Sequence, residues 1–100
     1  TYHAGLLKNL IVAGARNKGF SVIEAITACH TAYGRRNKLG NGLQMLLWQR
    51  DHAVTVKQAA KMSPEELRDK IVIGELYRAE APEFTATYEE LVARLAQKEK

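Results

Sequence analysis

One hundred residues, 46% hydrophobic and 26% charged, exclude a disordered chain and allow one core, since folding at this size removes only about 60 to 70% of the unfolded surface from water. The longest unbroken apolar stretch, residues 10–15 with Gly14 inside it, falls far short of the roughly 20 residues that cross a bilayer, so no membrane contact is predicted. The formal charge of +4 is uneven: residues 1–50 hold seven basic residues against Glu24 alone, whereas residues 51–100 hold eight basic and ten acidic ones.

These quantities predict a single domain over residues 1–100, with a basic N-terminal half and a mildly acidic C-terminal half. The lone Cys29 has no partner for an intrachain disulfide, so the fold does not depend on oxidation and a cytoplasmic setting is expected. The first residues lack the charged-then-apolar layout of a secretory signal, and a start at Thr1 rather than Met leaves targeting at that end open.

The first predicted helix covers residues 3–16. Leu7, Leu10, Ile11 and Gly14 recur at i, i+3, i+4 and i+7, and Asn17-Lys18-Gly19 supplies a glycine stop. Ser21 and Glu24 then read as a capping box, which predicts a second helix burying Val22, Ala25, Ile26, Cys29 and Tyr33 and ending at Gly34. Residues 35–42 read as a loop. A third helix is expected from Asn41 as cap to near Asp51, carrying Leu43, Leu46 and Leu47.

Thr55 with Gln58 is a second capping box and opens a short helix. Ser63-Pro64-Glu65-Glu66 is a third, with proline at the first helical position and two acids at the positive helix end. Ile71-Val72-Ile73 is β-branched and compatible with a short strand, but Leu67, Ile71 and Gly74 keep helical spacing, so this helix is extended to about Arg78. After Pro82, Thr87 with Glu90 forms a fourth box before Tyr88, Leu91, Val92 and Leu95. The fold class read from these signals is all-α: a compact bundle of five to six short helices.

No catalytic site assembles from the spacing. Cys29 and His30 are neighbours, and helical neighbours point about 100° apart, so Cys29 is read as a packing residue. His3, His30 and His52 lack a ligand four residues away, and no metal site is predicted. Residues 34–42 fail the Walker A pattern because Leu39 stands at the second glycine and no Gly-Lys-Ser/Thr follows; they fail the dinucleotide pattern because Met45 stands at the third glycine. No cofactor is therefore expected, and the chain is read as not an enzyme.

What remains is charge. Arg35, Arg36 and Lys38 precede a helix N-terminus, and Arg16 with Lys18 flank the first turn, a set suited to phosphate oxygens. Glu65, Glu66 and Asp69 exclude the helix after Ser63 from reading DNA. Tyr33, Trp48 and Tyr77 are assigned to the core. The function expected on these grounds is a nucleic-acid-binding domain, DNA or RNA, that grips phosphates through Arg16, Lys18, Arg35, Arg36 and Lys38. The alternative is a small regulatory protein, a helical adaptor or inhibitor docking on another protein through an apolar face edged by arginine.

Overall fold

Helix α1 (Ala4–Arg16) forms where the leucine stripe places it. Asn17 leaves the helix with ψ 134°, and Gly19 takes φ 102°, in the left-handed region that only glycine enters without strain. A Cβ on Gly19 would lie 3.1 Å from the Ala81 carbonyl oxygen, and this close approach lets the chain return across the turn. There Ala81 N donates to the Lys18 carbonyl at 3.3 Å, and Asn17 Nδ2 donates to the Ala79 carbonyl at 3.4 Å. The computed structural model from which these distances come describes residues 1–98.

The helix expected from Ser21 does not form. Residues 20–29 run without helix, turn or bend, and only a five-residue π-helical turn, His30–Gly34, follows them. Val22, Ile23, Ile26 and Thr27 are β-branched and lose side-chain freedom in a helix, and a capping box satisfies end groups without supplying the costly first turn.

Helix α2 (Gly42–His52) keeps its expected place. The Asn41 side chain accepts from Gln44 N at 3.0 Å, and the Gln44 side chain accepts from Asn41 N at 2.8 Å, which closes a reciprocal cap. Its inner face carries Met45 and Gln49, both buried.

Beyond α2 the chain builds a unit that the helical reading missed. Strand β1 (Ala53–Thr55) pairs in parallel with β2 (Ile71–Ile73), Ala53 facing Ile71, Val54 facing Val72 and Thr55 facing Ile73. Parallel strands need a crossover of a dozen or more residues, which α3 (Val56–Ala59) and α4 (Pro64–Leu67) provide. Both short helices start at the expected boxes: Thr55 accepts from Gln58 N, and Ser63 accepts from Glu66 N, each at 3.3 Å. The helix begun at Ser63 ends at Leu67 rather than near Arg78. Ile71, Val72 and Ile73 prefer the ladder, and Gly74 at φ 121° turns the chain out of it.

The last helix, α5 (Phe84–Lys98), begins one turn before the expected Thr87 box. Glu83 caps it, accepting from Ala86 N at 3.0 Å, while the Thr87 hydroxyl donates back to the Glu83 carbonyl at 2.9 Å.

The expected compact all-α bundle is therefore corrected on two counts, the parallel strand pair and the shape. The radius of gyration is 20.3 Å, against about 13 Å for a compact chain of this length. The accessible surface is 8681 Å², against about 5,700 Å² for a globular protein of this mass. Packing between elements is concentrated where α3 covers the two strands and where the π-turn meets α2. Among the described residues, Met45 is the one large apolar side chain that is buried, and it is still 8% exposed.

Candidate functional site

The most closely determined polar region is residues 29–42, which the π-turn and the cap of α2 hold together. Gly34 N donates to the Cys29 carbonyl at 2.8 Å, closing the π-turn, and Leu39 N donates back to the Gly34 carbonyl at 2.9 Å. Asn37 braces the same turn twice: its backbone N donates to the Tyr33 carbonyl at 3.0 Å and its Nδ2 to that oxygen at 2.9 Å.

Gly34 is buried against α2, and a Cβ there would sit 2.5 Å from Met45 Sδ. The absent side chain is what allows the turn to seat on the helix. Lys38 at φ 55° and Gly40 at φ 81° then reverse the chain into the Asn41 cap. The His30 ring lies beside Gly42, its Nδ1 3.5 Å from where a Cβ would be. The fold thereby brings the residue after Cys29 to the N-terminus of α2.

Cys29 is exposed, which corrects its reading as a packing residue. It precedes the π-turn instead of lying inside a helix, so it has no helical face to share with Val22 and Ile26. Hydrogen bonding from the backbone amides of Tyr33, first, and Ala32 draws its thiol below the ordinary pKa. The thiol is thereby easier to ionise than that of a free cysteine. Among the described residues, however, no group of three or more His, Cys, Asp or Glu side chains gathers to hold a metal ion.

The five cations read from the sequence are held by different elements. Arg16 ends α1 and Lys18 follows in the turn that is tied to residues 79–81. Arg35 and Arg36 continue the π-turn, and Lys38 occupies the left-handed position of the loop before α2. All five are exposed, and the ion pairs among the described residues are elsewhere, Arg50 with Asp51 at 2.7 Å and Arg78 with Glu75 at 2.6 Å. The aromatic residues assigned to the core are also exposed: Tyr33 by 60%, Trp48 by 50% and Tyr77 by 84%. Trp48 stacks on His52 with ring centroids 4.2 Å apart.

A second feature went unread in the sequence. A cleft of about 120 Å³ lies between α1, residues 24–26 and the strand pair, lined by Leu6, Leu10, Ala25, Ile26, Ile71 and Ile73. Gln49 stands at its wall and donates from Nε2 to the Ile26 carbonyl at 3.4 Å, which also accepts from the Thr1 amine at 2.7 Å and so ties residue 26 to α2 and to residue 1. Apolar spacing alone placed Ile26 and Ile71 on separate helices, so nothing in that pattern signalled a shared cleft.

Comparison with known proteins supplies what the geometry does not. The chain is 38% identical over 82 residues, 82% of its length, to the protein named 2-oxoglutarate synthase subunit KorB in Methanothermobacter marburgensis. It is 37% identical over 84 residues to the protein of that name in Methanothermobacter thermautotrophicus, and 36% identical over 95 residues to that in Methanocaldococcus jannaschii. The chain resembles a 2-oxoglutarate synthase subunit. It spans 29%, 29% and 35% of the lengths of these three relatives. No protein-family model and no solved structure matches it.

These relatives overturn the nucleic-acid reading, the regulatory adaptor or inhibitor alternative, and the expectation that the chain is not an enzyme. They are named as subunits of a synthase. The error has a physical source: a basic balance describes what a surface attracts, and carboxylates attract lysine and arginine as phosphates do. Among the described residues no helix is long and apolar enough to cross a membrane.

Proposed function

We propose that this chain is one folding segment of a 2-oxoglutarate synthase subunit and works inside a multi-subunit enzyme. The observation that carries the reading is 36 to 38% identity to three proteins of that name over 82 to 95 of its 100 residues. The exposed apolar surface supports it, because Phe20, Val22, Leu43, Leu76 and Phe84 are each more than 60% exposed, as suits a segment covered by other chain.

The same reading gives the cationic turn a role. 2-Oxoglutarate is a dicarboxylate, and Arg35, Arg36 and Lys38 lie on a turn whose backbone is fixed by hydrogen bonds and by Gly34 on Met45. We assign this turn to binding a carboxylate of 2-oxoglutarate. Arg16 at the end of α1 and Lys18 in the turn tied to residues 79–81, both exposed, are assigned to the outer surface of the assembly.

A tag on the intact polypeptide that carries this sequence is expected to draw 2-oxoglutarate-forming activity out of a native extract. A tagged, folded polypeptide that leaves all such activity behind contradicts the enzyme reading. In the same preparation, assayed in the direction that consumes 2-oxoglutarate, Arg35→Ala with Arg36→Ala is expected to raise KM for 2-oxoglutarate by about tenfold or more, the loss of one charge-assisted hydrogen bond, with kcat little changed. An unchanged KM removes the carboxylate role from the turn and leaves the enzyme reading standing.

A further inference from the structure

Helix α5 carries an apolar stripe that lies open. Phe84, Tyr88, Leu91 and Leu95 recur at i, i+4, i+7 and i+11, the alternating steps of four and three that keep one seam of a helix turned toward a partner helix. Phe84, Tyr88 and Leu95 are more than half exposed, and Leu91 is 39% exposed. The main packing between elements, α3 on the two strands and the π-turn on α2, does not include α5. Along the seam the Phe84 and Tyr88 rings stack with centroids 6.1 Å apart, and a groove lined by Phe84, Thr87, Tyr88, Glu90, Leu91 and Arg94 runs beside them.

Charge and side-chain size along this helix decide what fits it. One flank of the seam carries Glu83 and Glu90 toward the N-terminus and Arg94 toward the C-terminus. The ion pairs among the described residues include none of these three. Glu83 caps α5 through Oε2 alone, which accepts from both Thr85 and Ala86, so its Oε1 is left for a cation. An antiparallel copy of α5, related by a two-fold axis between Glu89 and Glu90, sets Arg94 beside Glu83 of the second copy and repeats that contact at the other end. It also sets Tyr88 against Leu91 and Phe84 against Leu95 of the second copy, so every layer of the seam joins one ring to one leucine. A parallel copy stacks ring on ring and leucine on leucine, and it keeps Arg94 about 16 Å along the axis from the second Glu83.

We propose that α5 is a self-pairing surface on which a second copy of this chain docks its own α5 in the antiparallel sense. Phe84, Tyr88, Leu91 and Leu95 form the seam, and Arg94 pairs with Glu83 at each end. The pairing uses α5 alone and holds whether or not the enzyme reading does. A single helix pair lies below the roughly 1,200 to 2,000 Å² of stable interfaces, so this contact is weak by itself and forms at raised concentration or as one part of a larger assembly.

Disulfide trapping in the intact polypeptide tests this. One preparation carries Phe84→Cys and another Leu95→Cys, both at exposed positions; they are mixed in equal amounts and mildly oxidised, and the joined peptides are identified by mass spectrometry. Links between the two different variants are expected in about tenfold or greater excess over links of either variant to itself. Like-with-like links in excess overturn the antiparallel arrangement. Links absent from the mixture and from each variant alone overturn self-pairing and leave the face to another part of the polypeptide or to a different subunit. Arg94→Glu, added to both variants, places like charges across the pair and is expected to cut the mixed-link yield by about fivefold at low salt. An unchanged yield overturns the pairing of Arg94 with Glu83.

Discussion

At the scale of the residue, two positions carry most of the local argument. Gly34 is occupied by nothing larger because Met45 Sδ and the Cys29 carbonyl lie 2.5 and 3.3 Å from where a Cβ would be. Gly34→Ala is expected to destabilise the intact protein by about 1 to 3 kcal/mol, the usual cost of overpacking. Met45→Ala in the same chain is expected to recover part of the loss, since the two residues compete for one space. Chemical denaturation of the four variants checks this, and strictly additive effects would place the clash elsewhere. Cys29, exposed and drawn toward the thiolate by the Tyr33 amide, is expected to react with iodoacetamide in the native 100-residue chain faster than an unstructured cysteine peptide does near neutral pH. Equal or slower native labelling removes the thiolate argument.

At the scale of the element, the capping signals were legible and their consequences were not. Asn41, Thr55 and Ser63 each start a helix, because a cap is a local hydrogen bond between residues three apart. Ser21 carries the same pattern and starts none, because Val22, Ile23, Ile26 and Thr27 resist the helix that the box would open. The length of the Ser63 helix was misjudged for a related reason: Leu67, Ile71 and Gly74 fit a helical period, but β2 is decided by pairing with β1 across a crossover, which periodicity does not record. Arg35, Arg36 and Lys38 were singled out from charge alone, as phosphate-gripping residues, while the cleft shared by Ile26 and Ile71 depended on long-range placement. Ser63→Ala is expected to cost about 0.5 to 2 kcal/mol at neutral pH by removing the acceptor for Glu66 N.

The partner of that cap adds a pH dependence. Hydrogen bonds from Ser63, the backbone N–H first, hold the Glu66 carboxylate below its ordinary pKa. A group whose folded pKa is depressed contributes stability above its unfolded pKa and loses it as pH falls through the folded value. Glu66→Gln is therefore expected to flatten the acid limb of the stability profile below the usual carboxylate range. An unchanged acid limb would show that the exposed carboxylate is too well screened to matter.

At the scale of the whole molecule, the surface of 8681 Å² and the extent of 68 Å along the longest axis belong to a chain that leaves its apolar residues for other surfaces to cover. Phe84, Tyr88 and Leu95 of α5 are all more than half exposed, and Trp48 of α2 is half exposed. The 100-residue chain by itself is accordingly expected to bind a hydrophobic dye and to unfold over a broad denaturant range, because little area is buried on folding. A sharp, cooperative transition without dye binding would mean that the chain completes its own core.

The central claim, that these residues serve a 2-oxoglutarate synthase, is met most directly by one measurement: the rate of 2-oxoglutarate formation by the purified assembly that contains the intact polypeptide. The account predicts 2-oxoglutarate formation that disappears when residues 20–41 are deleted. A folded, assembled preparation that forms no 2-oxoglutarate, or one whose rate survives that deletion, contradicts it.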